Sequence, residues 1–200
     1  MGRAMPYDPS SLRRAAATAI VGATVWEIGI APVPRVYVEQ DPARRLELLQ
    51  AGERGWIIGH HVAAAGTAAV PAAFGRVALA MPPGRARFCA GVGAVALAAG
   101  APFFVAELAR RASDIEAFAA HRLPAWPFAA YAWLHVCALA SLAGALWNLA
   151  GHRKAATAVG LAAAGTGVAL AGTGDIPPFV FYLGEELAAV SLLRRGKREA

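Results

Sequence analysis

WPFAAYAWLHVCALASLAGALWNLAG, residues 126–151, holds no Asp, Glu, Lys or Arg and a single histidine, His135. A helix rises 1.5 Å per residue, so about 20 apolar residues cross a hydrocarbon core roughly 30 Å thick. This stretch is long enough to span a membrane, and the rest of the chain repeats its pattern. Working outward, similar segments occupy 88–109 and 56–80 upstream and 155–174 downstream. Two further candidates lie at the ends, at 15–32 and at 178–193. The last is short, so it is expected to tilt, thin the bilayer or re-enter. The sequence therefore predicts an all-α integral membrane bundle over 1–200, with six spans and five as the alternative.

Composition agrees. The chain is 58% hydrophobic and 16% charged, against roughly 25% charged in soluble domains. The net charge of +6 comes from arginines at segment ends, such as Arg13, Arg14, Arg110 and Arg111. Such placement reads as topology signal and excludes a nucleic-acid face. Cys89 and Cys137 fall inside apolar segments without CxxC spacing and read as small hydrophobes. The first segment also allows a cleaved signal peptide, although Glu27 interrupts its apolar region and Pro32 follows the only small-residue site.

The connections carry further signals. Asp41-Pro42 supplies a helix cap and a favoured first position, opening a short amphipathic helix around 42–52. Pro71 predicts a kink in 56–80. GDIPP, residues 174–178, predicts a tight turn. With six spans, twelve basic residues fall on the side holding both termini and seven on the other. The excess places both termini in the cytoplasm and the protein in the inner membrane.

Apart from Arg76, which can snorkel to the cytoplasmic interface, seven ionisable side chains lie within the spans: Glu27, His60, His61, Glu107, His135, Glu185 and Glu186. In this topology all of them occupy the outer half or the midplane. A charge at the bilayer centre costs about 2.5–3.5 kcal/mol even on the lenient insertion scale, so such groups face the bundle interior. The expected site is a pocket opening outward, with Glu185, Glu186, His135 and Glu27 as acid–base groups. Tyr131, Tyr182, Phe179, Trp133 and Trp56 would form its substrate-binding wall. Adjacent residues on a helix diverge by about 100°, so Glu185 and Glu186 cannot both face one partner. Glu107 is expected to pair with Arg110 or Arg111, and His121, His152 and Asp175 read as connection residues.

Carboxylic acid, imidazole and aromatic walls suit isomerisation or cyclisation of an isoprenoid or other lipophilic small molecule. Three readings compete with it. The first is a haem or metal held by His60, His61 and His135; without HExxH, ExxH or paired histidines at i, i+4, the spacing names no cofactor. The second is a proton-coupled transport subunit, and the third a non-catalytic partner whose polar residues lock helices together. The bilayer is the one partner the sequence specifies; no P-loop, dinucleotide fingerprint or GxSxG is present.

Overall fold

A computed structural model describes residues 9–195. Of the basic residues weighed for orientation, Arg3, Lys197 and Arg198 lie outside this range. The described residues form eight α-helices: α1 (Pro9–Ile30), α2 (Pro42–Ala51), α3 (Glu53–Ala80), α4 (Arg85–Ser113), α5 (Ile115–Ala119), α6 (Trp126–Trp147), α7 (Arg153–Thr173) and α8 (Phe179–Arg195). A 3-10 turn, Pro34–Tyr37, follows α1. Among them, α3, α4, α6 and α7 are long and apolar enough to cross a membrane. The helices overrun the apolar segments by a few residues because arginine is a good helix former and keeps its head in water from inside a terminal turn. Thus Arg13 and Arg14 lie within α1, and Arg110 and Arg111 within α4.

The six longer helices form a closed ring in the order α1, α3, α4, α6, α7, α8, with α8 returning against α1 and also touching α6. The tightest contact is α1 on α3, where side chains are absent by design of the sequence. A Cβ on Gly59 would lie 2.2 Å from the Gly29 carbonyl, and one on Gly66 only 2.6 Å from the Trp26 nitrogen. Small residues let backbones meet where apolar burial gives no drive between helices. The fifth segment also carries small residues, at Gly160, Ala164, Gly167 and Gly172, that would permit such contact. Instead Gly167 keeps an ordinary 3.4 Å from Val136, and Gly172 has nothing within 4 Å.

Local signals act as their chemistry dictates. Asp41 accepts a hydrogen bond from the Ala43 nitrogen at 3.0 Å, and Pro42 starts α2. Gly174 takes φ 73° and caps α7, opening the turn into α8. Pro71 and Pro102 sit inside uninterrupted helices, so neither ends its element. The 3-10 turn, α2 and α5 gather at one end of the ring, hereafter the capped end. There Val33, Val36, Leu49 and Ala119 pack on Trp56 in a small core separate from the main one.

Candidate functional site

α6 presents Tyr131 and His135 one turn apart on its inner face. The His135 Nδ1 lies 3.1 Å from the Tyr131 carbonyl, and the two rings touch at a 43° tilt with centroids 4.0 Å apart. A carbonyl only accepts, so Nδ1 carries the hydrogen and donates it. The remaining nitrogen, Nε2, faces Glu185 Oε1 of α8 at 3.3 Å. His135 is 3% exposed and Glu185 1%. With Nδ1 committed, the pair has two arrangements: imidazolium with carboxylate, or neutral imidazole with carboxylic acid. They differ by one proton moved between Nε2 and Oε1.

Apart from that contact, neither Glu185 oxygen has a hydrogen-bond partner. Buried polar atoms are nearly always satisfied, so this carboxylate stands out within the core. Around it stand aromatic rings from four helices. Trp26 of α1 stacks on Tyr182 of α8 at 4.0 Å and 13°, and Phe104 of α4 stacks on Tyr131 at 4.1 Å and 20°. Phe181 lies 5.1 Å from the His135 ring. The Tyr182 hydroxyl hydrogen-bonds to Thr67 of α3 at 2.8 Å. The Tyr131 hydroxyl and Trp26 Nε1 are buried without a hydrogen-bond partner.

The structure divides the acids as the 100° rule requires. Glu185 enters the core, while Glu186 sits half-buried at the α1–α8 seam and accepts a bond from Thr24 at 3.1 Å. Glu27 stands half-buried beside Glu186. These two are therefore a separate group from Glu185 and His135. Trp133 and Phe179, expected in the wall, are 45% and 46% exposed and point away from the bundle centre. Trp133 is two residues from both Tyr131 and His135, about 200° around the helix, which sends it to the opposite face.

His60 and His61 also part company. His61 is exposed; His60 is buried, lies tilted against Trp56 with ring centroids 3.9 Å apart and donates from Nδ1 to the Trp56 carbonyl at 2.9 Å. Its Nε2 is buried without a hydrogen-bond partner. Trp56 belongs to the capped-end core, where its Nε1 donates to the Arg111 carbonyl at 2.8 Å. Among the described residues no three His, Cys, Asp or Glu side chains gather as a metal site. Glu107 does pair with Arg111, at 2.9 Å, but as a buried pair and not a screened interfacial one. His152 is likewise more than a connection residue: it is buried and lies 2.6 Å from Ser191, fastening the start of α7 to α8.

An opening toward the outside was expected, yet the cluster is closed in this structure, with Tyr131 and Tyr182 buried. A shallow cleft of about 380 Å3 lies elsewhere, where Gly29, Gly55 and Gly59 leave a groove beside Arg54. Sequence reasoning missed Trp26, Thr67, Phe104 and Phe181. Trp26 was within reach, since it continues the small-residue stripe Ala15, Ala19, Gly22 that α1 buries. The reading of this cluster rests on its own geometry, because no family model, curated protein or solved structure matches the chain.

Proposed function

We propose that the chain is a single six-span helical domain of the inner membrane, both termini cytoplasmic, and that its core performs acid–base chemistry on a lipophilic substrate. Four helices have the length and apolarity to span. Support for counting α1 and α8 with them comes from their two faces. They bury Trp26, Tyr182 and Glu185 in the same core, while Val21, Ile28, Leu183 and Leu187 are exposed and suit lipid. At 22 and 17 residues they reach about 33 and 26 Å at the helical rise.

The observation that carries the chemistry is the bare, buried Glu185 carboxylate facing one imidazole nitrogen. In its neutral-pair form, Glu185 can give a proton to one carbon of a double bond. His135 Nε2 can then take a proton from a neighbouring carbon, and the 3.3 Å contact returns it to Glu185. One proton enters and one leaves, so the net change is an isomerisation. The intervening cation would be stabilised by the faces of Tyr131 and Tyr182. The substrate enters from the bilayer by parting the α1–α8 seam, past Glu186 and Glu27.

Incubating the purified protein with a lipid extract in deuterated water tests this reading. A lipid that gains carbon-bound deuterium with the native protein, and loses that gain with Glu185→Gln and His135→Gln, is the expected result. No deuterium above the Glu185→Gln background in any lipid would refute it. For topology, a periplasmic reporter fused at Ala200 is expected to stay inactive.

A further inference from the structure

The capped end holds a second group of charges that the core chemistry does not use. Arg45 of α2 is only 5% exposed, yet among the described residues no carboxylate lies within ion-pair distance of it. Its guanidinium carbon sits 4.8 Å from the centre of the Phe118 ring, and that of Arg111 sits 5.3 Å from the same centre. Nη1 of Arg45 meets the His121 ring, while its Nε is buried without a partner. His121 itself adopts φ 54°, an uncommon left-handed conformation for a residue other than glycine. The nearby acids are already engaged. Glu107 holds Arg111 through Oε1, and Glu39 accepts from the Gln40 and Asp41 nitrogens at 2.9 and 3.0 Å. Arg44 is matched by Glu47 on its own helix.

Two guanidiniums thus share one ring with a single carboxylate bonded between them. A buried charge without a counter-charge is costly. Burial, and then Arg111 beside it, pull the Arg45 guanidinium below its ordinary value, and the Glu39 carboxylate opposes them only in part. A bound anion would offset the repulsion between the two guanidiniums and supply the buried charge with a close partner. The guanidinium fork matches the oxygens of a tetrahedral phosphate in a way an ammonium cannot. We propose that Arg45, Arg111 and His121 form a binding site for a phosphate group, either a lipid headgroup phosphodiester or free phosphate. The site is independent of the acid–base reading of the core.

Thermal unfolding of the full chain in a neutral detergent, titrated with inorganic phosphate against chloride at equal ionic strength, is the first arm. Retention of phosphatidylglycerol through purification, read by native mass spectrometry, is the second. Arg45→Gln, Arg45→Lys and His121→Ala serve both arms. A saturable rise in midpoint, weakened at least tenfold in apparent affinity by Arg45→Lys and by His121→Ala, supports free phosphate. Lipid retention lost in the same variants, with inorganic phosphate inert, supports the headgroup. Arg45→Lys keeps the positive charge, so it decides the matter even where Arg45→Gln fails to fold. If neither phosphate nor phosphatidylglycerol responds to any of the three variants, the site does not exist.

Discussion

His135 and His60 are built alike and end differently. Each follows an aromatic residue by one turn, packs at a 43° tilt against that ring and donates Nδ1–H to its carbonyl. This local device fixes the tautomer and aims Nε2 across the bundle. What Nε2 then meets is set by another helix: Glu185 for His135, no hydrogen-bonding group for His60. Sequence spacing along one helix prepares an imidazole for chemistry, and tertiary packing decides whether there is any. Thus two histidines share one local motif, and of the two only His135 faces a carboxylate.

The largest effect should come from separating the two. His135→Leu leaves Glu185 buried alone and is expected to cost about 3–5 kcal/mol, as for other broken buried pairs. His60→Leu removes an imidazole whose far nitrogen bonds nothing and loses only one net hydrogen bond, about 1 kcal/mol. Reversible unfolding in mixed micelles, followed by far-ultraviolet circular dichroism, compares them. The double change His135→Leu with Glu185→Leu should recover most of the first loss. Equal costs for the two single changes would mean that His60 has a partner and would erase the distinction.

Next in size is the support beneath His60. Gly59 precedes it and lets α1 reach α3 by backbone contact. Gly59→Ala must push the helices apart and should cost about 1–3 kcal/mol, the usual range for overpacking. Gly172→Ala meets open space and should stabilise by about 0.5–1 kcal/mol through helix propensity. Opposite signs in one unfolding assay would show that the capped end of α3 is held by contact with α1. A neutral Gly59→Ala would leave that claim without support.

What the sequence disclosed follows the same division between local and tertiary causes. The Asp41-Pro42 cap, the four long apolar helices and the divergence of Glu185 from Glu186 are properties of one helix at a time, and all could be read. Which of the two acids faces inward could not, because Phe181, Tyr182 and Glu185 form a stripe wide enough for either choice. Trp133 and Phe179 were assigned to the wall by residue type, although aromatics also suit a lipid-facing surface. α5 is a five-residue helix, too short to leave a period. Arg45 was hidden for another reason: on an amphipathic helix among charges, an arginine reads as solvated until α5 lays Phe118 beside it.

The smallest predicted effect tests the centre of the core. Tyr182 and Tyr131 are both buried, and their hydroxyls face each other close to Glu185. Only Tyr182 has a hydrogen bond of good geometry, to Thr67. Tyr182→Phe should therefore cost about 1 kcal/mol, the net worth of an ordinary hydrogen bond. It is softened because Thr67 can turn its hydroxyl back to a carbonyl of its own helix. Tyr131→Phe removes an unsatisfied hydroxyl and should be within about 0.5 kcal/mol of native, since deleting an unpaired polar atom costs little. The two changes keep both ring stacks, on Trp26 and on Phe104, so packing cancels between them. A Tyr131→Phe loss larger than that of Tyr182→Phe would reveal a partner for the Tyr131 hydroxyl. The nearest candidate is the Tyr182 hydroxyl that faces it, and the bond from Thr67 would then continue through Tyr182 to Tyr131.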